Sequence, residues 1–155
     1  MPVYSNRGKS RLVLAVEDVP FCNDKIGPGT PPIKTDEGRL TLYHFVDKDE
    51  TRGKNGWEGK WQKRYSIGVM LLDLNDPSKI VGMSKAPLMV PEAEIKTSGG
   101  YRDNVFFPCG MIKKGENVRI YYNAGDAVVC LAECNIKELV ALCKDKKKFI
   151  KFAFM

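Results

Sequence analysis

Chemistry in this chain centres on a single histidine. His44 is the only histidine among 155 residues, and it follows Leu40-Thr41-Leu42-Tyr43 in a strand-like run. An imidazole can donate a hydrogen bond from one ring nitrogen whether it is neutral or protonated. The same position also suits a structural histidine at a strand end. The residue type alone therefore leaves both roles open.

The other reactive side chains give a weaker signal. Asp126 follows Tyr121-Tyr122-Asn123-Ala124-Gly125 between two strand patterns, where an aspartate commonly caps the turn. The five cysteines show no C-x-x-C spacing, and one histidine is too few for the usual mixed zinc sites. We therefore expect no metal site and no disulfide framework, but buried, reduced thiols.

The elements that must position these residues are mostly strands. Short β-rich runs alternate with Gly, Pro, Asn and Asp punctuation. One helix is predicted, with Asn135 as N-cap and Ile136, Leu139, Val140 and Cys143 on one face. The predicted strands are 11–16, 39–46, 65–74, 79–83, 104–112, 117–122 and 127–132.

An internal repeat indicates how the strands are arranged. The run from Pro32 through Lys34-Thr35-Asp36-Glu37-Gly38 to His44 resembles the run from Pro108 through Lys113-Lys114-Gly115-Glu116 to Tyr122. Each run crosses a polar turn into another strand. Small sheets repeated in this way are typical of propeller blades, and a sandwich of the same strands is the alternative.

Composition bounds the remaining possibilities. The chain is long enough for one domain with a hydrophobic core, and no apolar window reaches the length of a membrane span. The net charge is +6, but the basic residues are dispersed except over residues 144–151, which we interpret as a helix exit and a short closing strand. We expect a soluble, unexported protein of the cytoplasm that binds neither nucleic acid nor membrane.

An ordered series of motifs carries a family resemblance. The stretches are Asn23-Asp24-Lys25-Ile26-Gly27-Pro28 with Pro31-Pro32-Ile33-Lys34-Thr35, Leu42-Tyr43-His44, 68–74 with Asp76-Pro77-Ser78-Lys79, Asn104-Val105 with Phe107-Pro108-Cys109-Gly110, and Ile120-Tyr121-Tyr122 with Gly125-Asp126. This series resembles glycoside hydrolase family 130, the mannoside phosphorylases and their hydrolytic relatives. The similarity spans about residues 11–143, in the family's order.

The resemblance implies a fold and a division of the enzyme. The family fold is a five-bladed β-propeller, so residues 1–155 would form a single partial propeller domain, the C-terminal half of the family's catalytic domain. That half would be all-β, with about two to three blades and one short C-terminal helix. The family's general acid, an aspartate, belongs to the N-terminal blades, and so no catalytic residue is assigned here.

The resemblance also implies roles for individual residues. Lys25 and His44 lie where the family places ligands of phosphate, which is a co-substrate; no cofactor is implied. Asp126 matches an aspartate that contacts mannosyl hydroxyls, and Arg102 carries a donor fork that could reach phosphate or sugar or form a surface salt bridge. Tyr43 and Tyr101 are candidates for stacking on a pyranose ring, although packing is an equal alternative for each.

The expected function is that of the C-terminal half of an inverting β-mannoside phosphorylase, which releases mannose 1-phosphate from manno-oligosaccharides. A β-mannosidase of the same family and a non-catalytic carbohydrate-binding or remnant module are the alternatives. The expected partners are the sugar, phosphate, and complementary N-terminal blades or a second copy of the chain. Two departures from the family pattern are Phe45 and Asn123, each standing where glycine is common.

Overall fold

The described part of the chain forms two antiparallel β-sheets and one α-helix. The computed structural model describes residues 10–52, 62–91 and 102–144, together with the backbone of 153–154. A single turn of 3-10 helix (Val16–Asp18) precedes the first strand. In the part of the chain described, no helix is long and apolar enough to cross a membrane.

The first sheet is built around a central hairpin. Its strands are β1 (Lys25–Pro28), β2 (Ile33–Lys34), β3 (Arg39–Lys48), β4 (Lys63–Leu72) and β5 (Ile80–Met83). The order is β1-β3-β4-β5. β2 pairs with the start of β3, at Arg39 and Leu40, while β1 pairs with the stretch from Tyr43 to Val46. The two short strands thus share one edge of β3.

The second sheet is a meander of consecutive strands. Its strands are β6 (Phe106–Lys114), β7 (Asn117–Ala124), β8 (Val128–Asn135) and β9 (Ala153–Phe154), in that order across the sheet. β3 and β7 contain the corresponding runs of the sequence repeat, and β4 and β8 contain the strands that follow them. The repeat therefore corresponds to equivalent strands of two sheets.

The main core lies between the two sheets. On β7, Val118, Ile120, Tyr122 and Ala124 are buried, because the side chains of a strand alternate between its faces. They pack in one cluster with Leu40 and other apolar residues of β3 and β4. This interface fixes the position of one sheet against the other.

A second, smaller cluster covers the opposite face of the first sheet. Tyr43 and Phe45 are fully buried there with Val19, and Phe21 packs on Phe45 with ring centroids 4.7 Å apart. The departure from glycine at Phe45 thus supplies core packing.

The helix α1 (Ile136–Lys144) closes one end of the main core. The Asn135 side chain accepts a hydrogen bond from the Lys137 amide at 2.8 Å, as an N-cap does. The predicted N-cap is therefore confirmed. The predicted apolar stripe is confirmed as well, since Ile136, Leu139, Val140 and Cys143 are all buried.

The prediction of an all-β fold with one short C-terminal helix is confirmed, and one strand prediction is wrong. Residues 11–16 do not form a strand; the chain instead turns at Val16–Asp18, where the Asp18 carboxylate accepts a hydrogen bond from the Ala15 amide at 2.9 Å. Leu14 packs onto the second cluster while Leu12 is 78% exposed. The apolar residues of this segment cover a sheet face and do not pair with a strand edge.

Candidate functional site

His44 lies at one end of the interface between the sheets. It follows Leu40 and Leu42 on the same face of β3, so the apolar interface ends in an imidazole. Its neighbour across the ladder is Gly27. A Cβ atom at Gly27 would lie 2.3 Å from Cε1 of His44. Glycine at this position lets the ring lie flat against β1.

One hydrogen bond fixes the state of the imidazole. Nδ1 of His44 lies 2.9 Å from the carbonyl oxygen of Pro28. Because a carbonyl oxygen only accepts, Nδ1 carries the proton. Burial lowers the pKa of His44 below its ordinary value, and the nearby Lys25 charge lowers it further, while the Pro28 bond opposes both. The ring is therefore neutral at neutral pH.

Two aromatic rings contact His44, and one of them also contacts Lys25. The ring of Tyr65 stacks with His44 at 6.2 Å between centroids, and that of Phe107 lies 4.3 Å from it. The Lys25 ammonium sits over the Tyr65 ring, 5.0 Å from its centroid. Lys25 and His44, the predicted phosphate ligands, are thus brought together on one aromatic platform.

A small cavity adjoins this platform. It has a volume of about 180 Å³ and is lined by Tyr65, Arg102, Val105, Phe107 and Asp126. Nε of Arg102 lies 3.8 Å from Oδ2 of Asp126. The predicted sugar ligands Arg102 and Asp126 therefore share two aromatic walls with the Lys25 and His44 cluster.

The turn that carries Asp126 has a defined backbone. Gly125 and Asp126 both have positive φ, at 62° and 51°. The Asn123 side chain accepts a hydrogen bond from the Asp126 amide at 2.9 Å, and the Arg102 amide donates to the Gly125 carbonyl at 3.0 Å. Asn123, a departure from the family's glycine, thus helps to hold the aspartate in place. Asp126 adopts a backbone conformation that is uncommon for residues other than glycine, and the hydrogen bond to the Asn123 side chain stabilises it.

The structure does not place the other two predicted sugar ligands, Tyr43 and Tyr101, in this group, for different reasons. Tyr43 is 1% exposed and packs in the second cluster, on the opposite face of β3 from His44. Its ring lies across Gly68, where a Cβ atom would approach Cζ to 2.3 Å. Tyr101 lies outside the described residues.

Two residues of the group were not predicted. Tyr65 and Phe107 occur in strand patterns where an aromatic residue usually signals core packing, so their types gave no distinguishing signal. Within the described ranges, no cluster of His, Cys, Asp and Glu side chains is placed to hold a metal ion.

A larger cavity lies at the other end of the sheets. Its volume is about 550 Å³, and it lies between the β2–β3 turn, the β6–β7 turn and the start of α1. Its charged wall residues form ion pairs, Glu116 with Lys137 and Glu37 with Lys144. None of the five predicted site residues that the structure describes lines it.

Comparison with known proteins identifies the family. The family described as beta-1,4-mannooligosaccharide phosphorylase matches residues 3–145. The chain belongs to glycoside hydrolase family 130. The propeller prediction is confirmed with it: the family fold is a five-bladed β-propeller, and the two sheets of this chain are blades of such a fold.

Individual relatives match most of this chain. A β-1,2-mannobiose phosphorylase of Listeria innocua is 32% identical over 139 residues, which are 90% of this chain and 35% of the relative. Its solved structure, a complex with β-1,2-mannobiose, superimposes with a TM-score of 0.73 over 88% of this chain and 35% of that one, at 31% identity. A 1,2-β-oligomannan phosphorylase of Thermoanaerobacter is 34% identical over 74% of this chain and 34% of its own length. This family member thus spans about a third of its relatives.

The family also includes hydrolases. A solved structure described with family 130 glycoside hydrolases that target β-1,2 mannosidic linkages in Candida mannan is 25% identical, with a TM-score of 0.58 over 81% of this chain and 32% of that one. Family membership alone therefore does not separate phosphorolysis from hydrolysis.

Proposed function

We propose that this chain is the C-terminal part of an inverting β-mannoside phosphorylase that releases mannose 1-phosphate from manno-oligosaccharides. The observation that carries the proposal is the placement of Lys25 and His44 on one aromatic platform beside the cavity that holds Arg102 and Asp126. A cation and a polar ring lie next to a carboxylate in a partly enclosed site, as joint recognition of an anion and a sugar requires.

Each residue has a distinct role in this proposal. The Lys25 ammonium attracts phosphate as a point charge, and His44 hydrogen-bonds to one of its oxygens. Asp126 accepts hydrogen bonds from mannosyl hydroxyls, and Arg102 orients that carboxylate or contacts the ligand itself. These groups would hold the two reactants close together, which lowers the entropic cost of their reaction.

The bond changes define what else the reaction needs. A phosphate oxygen attacks the anomeric carbon as the glycosidic C–O bond breaks, and the departing oxygen takes a proton from a general acid. The residues assigned here bind and orient the reactants. The family resemblance assigns the general acid to the N-terminal blades, and a complementary chain would supply those blades.

Lys25 favours phosphorolysis over hydrolysis. A hydrolase uses water and gains nothing from a fixed ammonium next to the reacting carbon, whereas phosphate requires charge compensation when it leaves water. The position of Lys25 over Tyr65, 5.0 Å from the ring centroid, holds such a charge at the site.

The surroundings of the enzyme follow from the same proposal. Phosphate is a co-substrate, and the partners are a manno-oligosaccharide and complementary N-terminal blades or a second copy. The five cysteines are free in the structure, which supports a reducing compartment such as the cytoplasm.

The direct test is mannose 1-phosphate release from β-mannobioses by the purified chain, alone and mixed with an N-terminal fragment of the Listeria relative. Phosphate-dependent release in the mixture, and none in a phosphate-free control, is the expected result. Release of free mannose at the same rate with and without phosphate would replace the phosphorylase proposal with the hydrolase.

A further inference from the structure

The tautomer of His44 restricts which anions can bind at the site. Nδ1 donates to the Pro28 carbonyl oxygen at 2.9 Å, so Nε2 of the neutral ring presents a lone pair. Across the described residues, Nε2 has no hydrogen-bond partner. The free nitrogen at this site is therefore an acceptor.

The charges around the ring are few and can be named. β1 contributes the Lys25 ammonium and β4 contributes the Tyr65 phenol, while Phe107 on β6 carries no charge. Arg102 and Asp126 line the adjoining cavity. The Lys25 charge acts on the His44 ring, where it disfavours protonation, and as a cation it attracts an anion.

An anion next to Lys25 therefore meets an acceptor as well as a donor. An oxygen without a proton is repelled by the Nε2 lone pair, and the nitrogen then loses its hydrogen bond with water. An oxygen that carries a proton can donate to Nε2. Phosphate and arsenate keep such a proton at neutral pH, and sulfate has none.

We propose that Nε2 of His44 accepts a hydrogen bond from the P–OH group of phosphate, so that the Lys25 and His44 site selects protonated oxyanions over sulfate. The inference rests on the phosphate site of the proposed function and adds the protonation state and orientation of its ligand. Charge alone predicts the reverse order, because sulfate carries more negative charge than phosphate at neutral pH and the site is cationic.

The test is anion binding to the purified chain at neutral pH. Phosphate affinity is measured by titration calorimetry, and sodium arsenate and sodium sulfate are then titrated as competitors at constant ionic strength. Arsenate should compete about as well as phosphate, and sulfate roughly tenfold more weakly or worse, as expected for one unpaired acceptor.

Two substitutions separate the acceptor from the charge. His44→Gln supplies an amide that can rotate to donate or accept, so the ratio of phosphate to sulfate affinity should fall close to unity while phosphate still binds. Lys25→Met should weaken both anions and leave the ratio high. A change of charge alone would move both variants in the same direction.

The pH dependence provides a second measurement on the unaltered chain. The pKa of His44 is lowered by burial, so below that pKa the ring gains a proton and Nε2 becomes a donor. Discrimination against sulfate should then disappear as pH falls, even if His44→Gln does not fold.

The outcomes are distinguishable. Phosphate binding with equal sulfate affinity at neutral pH would overturn the inference and leave the proposed phosphate site standing. Discrimination that persists in His44→Gln or at acid pH would also overturn the acceptor role. Absence of phosphate binding by the chain would overturn the proposed phosphate site and this inference together.

Discussion

A lysine side chain at a surface usually samples many rotamers. Ordering it to bind a ligand costs conformational entropy. At Lys25 the ammonium lies over the Tyr65 ring, 5.0 Å from the centroid, and such a cation–π contact at an exposed site contributes about 0.5–1 kcal/mol. Tyr65 also stacks with His44. One aromatic side chain therefore orders both groups of the proposed anion site.

Replacing Lys25 by methionine keeps the stem that covers the ring and removes the charge. We expect phosphate binding to weaken by about tenfold, the cost of a hydrogen bond to a charged group, with little change in the melting temperature. Calorimetric titration with phosphate measures the change. The matched control is Lys34→Met. Lys34 lies opposite Arg39 in the strand ladder, five positions along β3 from His44, so this variant should bind phosphate as the parent does.

Equal losses in Lys25→Met and Lys34→Met would show that the effect comes from net charge and not from a site at Lys25.

For individual site residues, there are physical reasons why sequence analysis proposed some and missed others. Lys25 and His44 were predicted only because their motifs resemble a family, since a single lysine or histidine has no spacing to interpret. Tyr43 was a candidate next to His44, but adjacent residues of a strand point to opposite faces, and it is buried on the other side. Tyr65 and Phe107 have the same type and pattern as core aromatics, so three-dimensional neighbours were needed to find them.

The spacing between β1 and β3 is what allows His44 to lie flat. Gly27 faces His44 across the ladder, and a Cβ atom there would come within 2.3 Å of Cε1 and 2.7 Å of Nε2. Neither distance is possible for real atoms, so any side chain at this position must displace the ring. The short strand β1 thus positions the imidazole through the absence of a side chain.

Gly27→Ala should lower phosphate affinity as much as His44→Ala does and reduce the free energy of unfolding by about 1–3 kcal/mol, as overpacking does. Calorimetric titration and urea denaturation measure the two effects. Gly110→Ala is the matched control, because a Cβ atom there has nothing within 4 Å, and it should change neither quantity by a measurable amount.

Unchanged phosphate affinity in Gly27→Ala, with His44→Ala impaired, would mean that the flat orientation of the ring does not matter for binding.

The cap of α1 gives an independent test of the fold. Removing the acceptor of the 2.8 Å bond to the Lys137 amide, by Asn135→Ala, should cost about 1 kcal/mol in the free energy of unfolding. Asn135→Asp keeps an oxygen at the same place and should retain most of that stability. Urea denaturation of the three proteins checks the prediction, and equal loss in both variants would contradict the cap.

Strand prediction succeeded where a long run alternates and failed where an element is short or has no partner. β3 and β4 have ten residues each and β7 has eight, with clear apolar periods, and all three were predicted. β1 and β2 have four and two residues, and β1 contains glycine and proline, which are poor strand formers. The segment 11–16 has a suitable composition but covers a sheet face, a tertiary outcome that composition does not encode.

In the whole molecule, the site depends on both sheets. His44 and Tyr65 come from the first sheet, and Phe107 and Asp126 from the second sheet and its β7–β8 turn. Buried residues packed between the two sheets set the distance between them, and buried residues of α1 belong to the same cluster. The chain matches 35% of the length of the Listeria phosphorylase, and in our proposal its two sheets contribute one part of the site and the other blades contribute the rest.

The most direct test of the account is a chimera in which the full chain replaces the matching third of the Listeria phosphorylase. With β-1,2-mannobiose as substrate, we predict mannose 1-phosphate release that requires phosphate, and an apparent phosphate requirement raised about tenfold or more by His44→Ala. A Lys34→Met chimera should behave as the parent chimera. A folded chimera that releases free mannose without phosphate, or whose phosphate requirement is unchanged by His44→Ala, would contradict the account.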